Sequence, residues 1–363
     1  MKFSIRGLGT ATPPHSVAQA DAVQAAQTFC CSNDQQRQWL KLVYLRSGIE
    51  RRHSVLLENG DPGIAGRQSF YPPQRDPDDR GPTTAQRMQR YEREAPPLAR
   101  QAAARALAEA EWPAESIDHL ITVSCSGFAS PGFEFSLIRD LGLRSSVSRT
   151  HIGFMGCHGA LIGLRSAGMF ARAEPESRVL LCAVELCTLH QQYGFNQERI
   201  VANGLFADGA AAVAGQVVPR FDPGWGVFRH ETLELPDSQQ CMGWRIGDHG
   251  FEMKLTPEVP EVIGRNLRGW LDGWLAEVGL RRDVVPTWAV HPGGPRVLHA
   301  TREALELPDE ALVESHAVLR DYGNMSSPTI LFILDQLRRR QAPLPCVALA
   351  FGPGLSIEAA LVI

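Results

Sequence analysis

Gly153-Phe154-Met155-Gly156-Cys157-His158-Gly159-Ala160-Leu161-Ile162-Gly163-Leu164-Arg165 reads as a cysteine planted on the first turn of a small-residue helix. Glycines at 156, 159 and 163 let neighbouring backbone approach closely, and the helix is expected to run to about Arg172. Two polar signatures lie far downstream: Trp288-Ala289-Val290-His291-Pro292-Gly293-Gly294-Pro295 and Tyr322-Gly323-Asn324-Met325-Ser326-Ser327-Pro328. Cysteine, histidine and asparagine, each framed by glycine, are the parts of a nucleophile that handles thioesters. They are spread over nearly half the chain, so only a fold can bring them together.

A thiol must ionise to attack a carbonyl, and a helix N-terminus is expected to lower the pKa of Cys157 through its unpaired N–H groups and macrodipole. Taken alone, such a cysteine is more often a core-filling thiol; the two downstream signatures reverse that weighting. His291 ends an apolar strand, where loops tend to build sites. An isolated histidine there is more often structural, but beside a thiol it can hold a thiolate and donate to an oxyanion. Asn324 suits a helix cap equally well. Its amide N–H also cannot titrate, which is useful for stabilising an enolate without protonating it.

Working outward, Phe3 to Gly9 alternates like a first strand, and Ser16 to Leu45 looks helical. Residues 46–53 turn into an extended segment, and Asn59 to Thr84, rich in Gly, Pro, Asp and Arg, reads as a mobile surface excursion and candidate lid. A helix from Ala85 to Ala110 is expected to break near Pro96-Pro97. A buried strand His119–Val123 runs to Cys125, the apolar strand Arg178–Glu185 follows the cysteine helix, and Asn203–Asp208 is a turn feeding another strand. The second half repeats the order: a helix Pro257–Val278, strand Thr287–Val290, a helix after Pro295, a helix Ser327–Arg340, strand Cys346–Phe351 and a last strand. The expectation is an α/β protein of two related halves, residues 1–216 carrying the cysteine and 217–363 carrying the histidine and asparagine.

At 363 residues the chain exceeds the roughly 250–300 residues of a single core, which agrees with two units. A net charge of −4 argues against wholesale nucleic-acid or membrane-surface partners. No secretory signal or membrane span is expected, and eight cysteines without small-domain spacing fit a reducing cytoplasm. Among 36 basic residues only Lys2, Lys41 and Lys254 are lysines, so phosphate contacts should fall to arginine. Cys182, Cys187 and His190 lack metal-site spacing, and no metal is expected. Gly7-Leu8-Gly9 lacks the third glycine of a dinucleotide fingerprint, and Arg51-Arg52 reads as a solvated charge pair.

Together these segments resemble the type III polyketide synthases, the chalcone and stilbene synthase family of the thiolase-like superfamily. The resemblance rests on Gly-Cys-His-Gly-Ala at 156–160, the Leu205–Ala212 segment, His-Pro-Gly-Gly-Pro at 291–295, Gly-Asn-Met-Ser-Ser at 323–327 and Phe-Gly-Pro-Gly at 351–354, in register over nearly the whole chain. It implies a five-layered αβαβα fold from two similar halves, forming a homodimer. It implies that Cys157 accepts an acyl starter from coenzyme A, that His291 and Asn324 hold malonyl-CoA during decarboxylation, and that iterative extension ends in cyclisation to a pyrone, resorcinol or phloroglucinol. No cofactor beyond the coenzyme A thioester substrates is implied. Phe206 matches one gatekeeping phenylalanine, whereas Met253 stands at the other; Cys125, Cys187, His190, Trp244 and Ser326 would shape the cavity. Arg46 matches one phosphate-holding position, while two others fall near Trp39 and Leu42. Lys41, Arg296 and the Gly293-Gly294 loop would complete the coenzyme contacts. The nearest alternative, a ketoacyl-ACP synthase III, uses the same triad once with a carrier protein but would carry a His-Gln-Ala-Asn type motif in place of His291-Pro292-Gly293-Gly294. A cysteine hydrolase or a non-catalytic scaffold explains fewer of the motifs.

Overall fold

A computed structural model describes every residue except 62, 64 and 65. The first half comprises β1 (Lys2–Ala11), β2 (Ser16–Ala18), α1 (Gln19–Cys30), α2 (Asp34–Leu45), β3 (Arg51–His53), α3 (Thr84–Ala110), β4 (His119–Ser124), α4 (Phe133–Leu141), β5 (Ser148–Gly153), α5 (Gly159–Ala173), β6 (Val179–Leu186), α6 (Gln197–Leu205) and β7 (Asp208–Val218). The second comprises β8 (Gly226–Glu234), β9 (Met242–Gly247), β10 (Gly250–Leu255), α7 (Val259–Ala276), β11 (Thr287–Val290), α8 (Pro295–Leu305), α9 (Val313–Tyr322), α10 (Thr329–Arg339), β12 (Cys346–Gly352) and β13 (Ser356–Val362).

The two halves repeat one plan. In the first, β4 runs parallel to β6, which is antiparallel to β7, which is antiparallel to β1. In the second, β11, β12, β13 and β8 repeat that sequence of senses. Two residue pairs, Phe3↔Val227 and Ser4↔Gly226, stitch β1 to β8, so the halves share one nine-stranded sheet with β5 at its free edge.

Three hydrophobic clusters separate the layers. Leu120, Leu180, Cys182 and Ala212 face α1 and α3; their strand neighbours Ile121, Leu181 and Val213 face α5 and α10. On the other half, Ala348 and Ala360 join the central cluster, while Val347, Leu349 and Leu361 pack on α7 and α8. Side chains that alternate between two apolar layers explain why these strands read as unbroken apolar runs. The five-layered αβαβα expectation holds.

Several local expectations change. Ser16–Leu45 is a short strand and two helices, because Asn33 accepts a hydrogen bond from Gln36 N–H and starts α2 afresh. α3 runs unbroken through Pro96 and Pro97, opened by a capping box between Thr83 and Gln86. Gly7 and Gly9 are where α3 meets β1: a Cβ would stand 2.0 and 2.2 Å from the carbonyl oxygens of Ala106 and Ala102. The described part of the 59–84 segment is tied down rather than loose. Buried Arg67 donates to the carbonyls of Asn59 and Ser16, and buried Tyr71 donates to Thr188 O (2.9 Å). The lid expectation also covers residues 62, 64 and 65, which lie outside the described residues.

Candidate active site

The duplicated plan decides where the chemistry-bearing residues meet. Cys157 precedes the central helix α5, and Asn324 precedes its counterpart α10; Cys125 follows β4, and His291 follows its counterpart β11. Each half thus delivers one strand end and one helix start to the middle of the molecule.

Cys157 does not sit in the first helical turn. His158 is the N-cap of α5, so the thiol lies one residue ahead of the cap. Gly156 adopts φ +79°, and a Cβ there would strike Pro353 Cδ at 2.4 Å, so this turn requires glycine. The Ser326 hydroxyl shares a void with the thiol, and the Asn324 amide lies close enough to it to favour the thiolate. Asn324 Oδ1 accepts from Ser326 N–H at 2.8 Å, which leaves the amide N–H end to face the sulfur. The Asn324 backbone is clamped on both sides, donating to Leu205 O (3.0 Å) and accepting from Ala207 N–H (2.9 Å).

The expected lowering of the thiol pKa is reversed. Burial pushes Cys157 up to about 11; the Ser326 hydroxyl and Asn324 amide pull it down, and the nearby Glu185 charge pushes it further up. Desolvation outweighs a helix start that the thiol does not quite occupy. His291 is fully buried, and both its ring nitrogens are unpartnered. Burial, with the neighbouring His158, lowers its pKa to about 3, so the thiol and the imidazole are both neutral near pH 7. His158 itself bonds Ser356 Oγ at 2.7 Å, and Ser356 donates to Pro353 O, tying the cysteine's sequence neighbour to the 351–354 loop.

The expected wall residues assemble around the thiol. Cys125, Cys187, Phe206, Trp244, Met253 and Ser326 line one void with Cys157 of about 20 Å³. A second void of about 20 Å³ adds His190 and shares Cys187, Phe206, Trp244 and Met253. Trp244 and Met253 are direct cross-strand partners on the β9–β10 hairpin. The indole Nε1 donates to Cys125 O (2.8 Å), and the ring stands edge-on to His190 and Phe251. His190 bonds Ser126 O (2.7 Å) and accepts from Phe251 N–H (2.9 Å), so both its nitrogens are taken. Cys182 faces the outer core and donates to Ala99 O, away from Cys187; among the described residues no cluster suits a metal.

A much larger cleft, about 780 Å³, is lined in part by Leu205. Arg46, Arg296, Gly293 and Gly294 line it, as do Trp39 and Leu42; Lys41 lies exposed on α2 and is not among the lining residues.

Two buried charged residues near the site escaped sequence reasoning. Glu185, the single acid in the apolar strand Val179–Leu186, is fully buried. It accepts from Cys125 N–H, Ser126 N–H and the hydroxyls of Ser126 and Ser327, and burial raises its pKa to about 7. A lone carboxylate in such a run was the available signal. Arg52, read as solvated, is buried. Its guanidinium donates to the carbonyls of Asn203 (2.8 Å) and Phe206 (2.7 Å), holding the end of α6 and Phe206 in place.

A buried thiol next to an amide and a hydroxyl, with a buried, unpaired imidazole at the end of the counterpart strand β11, is the set expected of a condensing acyltransferase of the thiolase type. Comparison with known proteins then makes the assignment specific. Residues 2–217 match the family profile for chalcone and stilbene synthases, N-terminal domain, and residues 230–363 that for the C-terminal domain. The chain belongs to the chalcone and stilbene synthase family and is a type III polyketide synthase. It is 34% identical over 361 residues to a 1,3,6,8-tetrahydroxynaphthalene synthase of Streptomyces peucetius subsp. caesius, covering 98% of this chain and 91% of that one. It is 32% identical to the alpha-pyrone synthesis polyketide synthase-like Pks18 of Mycobacterium tuberculosis, covering 98% and 90%. Among solved structures, PKS-I of the brown alga Ectocarpus siliculosus superposes with a TM-score of 0.92 at 30% identity, covering 99% and 98%. The type III domain of the Dictyostelium hybrid Steely1 gives 0.90 at 26%, covering 100% and 99%. The alternative of a ketoacyl-ACP synthase III is thereby set aside.

Proposed function

We propose that Cys157 is the acyl-carrying nucleophile, and that His291 and Asn324 act on malonyl-CoA. The observation that carries this reading is the orientation of Asn324: its carbonyl is occupied by Ser326 N–H, so its N–H end is left to donate to the thioester oxygen of malonyl-CoA. In loading, Sγ attacks the starter thioester carbon while its proton passes to His291, and coenzyme A leaves carrying that proton. His291 and Asn324 then donate to the thioester oxygen of malonyl-CoA, so that loss of carbon dioxide leaves a stabilised enolate. The enolate carbon attacks the Cys157 thioester, expelling the thiolate and lengthening the chain by two carbons. Repetition and ring closure give a pyrone-, resorcinol- or phloroglucinol-type product. The tight space between Trp244 and the thiol favours small starters.

We further propose a homodimer built on β5. Only one side of this strand is paired, and exposed Phe128, Phe135 and Met155 lie on or beside it.

The test is a pair of variants with malonyl-CoA and a panel of acyl-CoA starters. Cys157→Ala should abolish acyl loading, and Asn324→Ala should load normally yet lose 10²-fold or so in carbon dioxide release, the scale of one oxyanion donor. Equal loss of both activities in Asn324→Ala would sink the role given to that residue.

A further inference from the structure

The 780 Å³ cleft has a composition that points to its ligand. Trp39, Leu42, Val43 and Arg46 form one stripe of α2 at helical spacing and make one wall. Leu255, Pro257, Val259 and Pro260 line the cleft as well, together with Leu205, Gly293 and Gly294. Two arginines are the only cations among the lining residues, with Glu198 as the acid. Arg46 forms no ion pair among the described residues, and Arg296 reaches across to Pro257 O (3.3 Å). Leu42 is 51% exposed, and Trp39 is half-buried with its ring held against Phe195 at 5.6 Å and 68°.

Phosphate chemistry alone would select arginine and lysine along such a wall. A flat indole beside one unpaired guanidinium suits instead a ligand with a flat ring at one end and anionic groups next to it. The cleft adjoins the site already described through the backbone: its Leu205 precedes Phe206 of the thiol void, and its Gly293 N–H bonds His291 O.

We infer that Trp39 is the nucleotide-binding residue of this chain: its indole stacks on the adenine of the coenzyme thioester while Arg46 and Arg296 face the phosphates. This rests on the proposed use of coenzyme A substrates. Stacking of a base on an aromatic side chain is worth roughly a 5- to 150-fold change in affinity, whereas a Leu or Ala at residue 39 would offer none of it.

The experiment compares malonyl-CoA with the malonyl thioester of N-acetylcysteamine, which has no nucleotide. Trp39→Ala should raise KM for malonyl-CoA roughly 5- to 150-fold with kcat unchanged, and leave both constants for the short thioester unchanged. Trp39→Tyr should recover most of the loss. An unchanged KM for malonyl-CoA, or an equal rise for both substrates, would overturn the inference, the second by showing that the mouth has merely deformed. Titration calorimetry with free coenzyme A needs no turnover and should show the same weakening in Trp39→Ala. A native protein that binds coenzyme A through Trp39 but forms no ketide would sink the catalytic reading and leave the stacking intact. Ketide formation with unaltered coenzyme affinity in Trp39→Ala would do the reverse.

Discussion

At the residue scale, Glu185 is the group that ties the site to pH. Its carboxyl titrates at about 7 when folded, above the ordinary carboxylate value, because burial outweighs the donors around it. The folded state therefore binds the proton more tightly than the unfolded chain. That contribution to stability is fully present below about pH 4.5 and is lost as pH rises through 7, on the order of 3 kcal/mol in all. Glu185→Gln removes the charge and can turn its amide nitrogen toward Ser327 Oγ. Thermal melts should show the variant gaining on the native protein between pH 5 and pH 8. Parallel melting temperatures across that range would mean that Glu185 does not titrate there. Removing the charge also removes its upward push on Cys157, so thiol alkylation in Glu185→Gln should begin at lower pH.

At the element scale, the β9–β10 hairpin sets the room around the thiol. Trp244→Gly deletes the indole and its bond to Cys125 O, and should shift products toward larger starters or further extensions while malonyl decarboxylation changes by less than about 3-fold; mass spectrometry of the product mixture reads both. An unaltered product set would show that Met253 or His190 sets the limit. This hairpin also marks where the sequence was hard to read. Gly243, Gly247 and Gly250 interrupt its alternation, and no apolar face announces it, since its inner residues line a cavity instead of a core. The central strands and helices were legible because each meets apolar neighbours on two faces. The triad was legible because glycine framing survives in sequence. Arg52 was not: a buried guanidinium whose partners are two backbone carbonyls and the neutral amide of Gln19 leaves no complementary charge to notice. Nor was the upward shift of the Cys157 thiol, since desolvation belongs to the packed site and not to the motif.

At the scale of the whole molecule, β5 is an edge strand of the nine-stranded sheet, paired on one side only among the described residues. Phe135 and Met155 are each 45% exposed, and Arg149 lies over the Phe135 ring. Replacing both apolar residues in a Phe135→Glu, Met155→Glu variant should convert a dimer in sedimentation velocity to monomer, or weaken it at least 100-fold, while far-ultraviolet circular dichroism stays native. A native protein sedimenting as a monomer would remove the proposal outright. The duplicated plan has a consequence for inheritance. Each half ends a strand and begins a helix at the centre, but only together do they own a thiol, an imidazole and an amide; neither half could have been selected for this chemistry by itself. The hairpin that sizes the chamber belongs to neither repeat. A lineage can therefore exchange Trp244 or Met253 and alter what is made, while the ancestral pairing of halves that performs each bond-forming step passes on untouched.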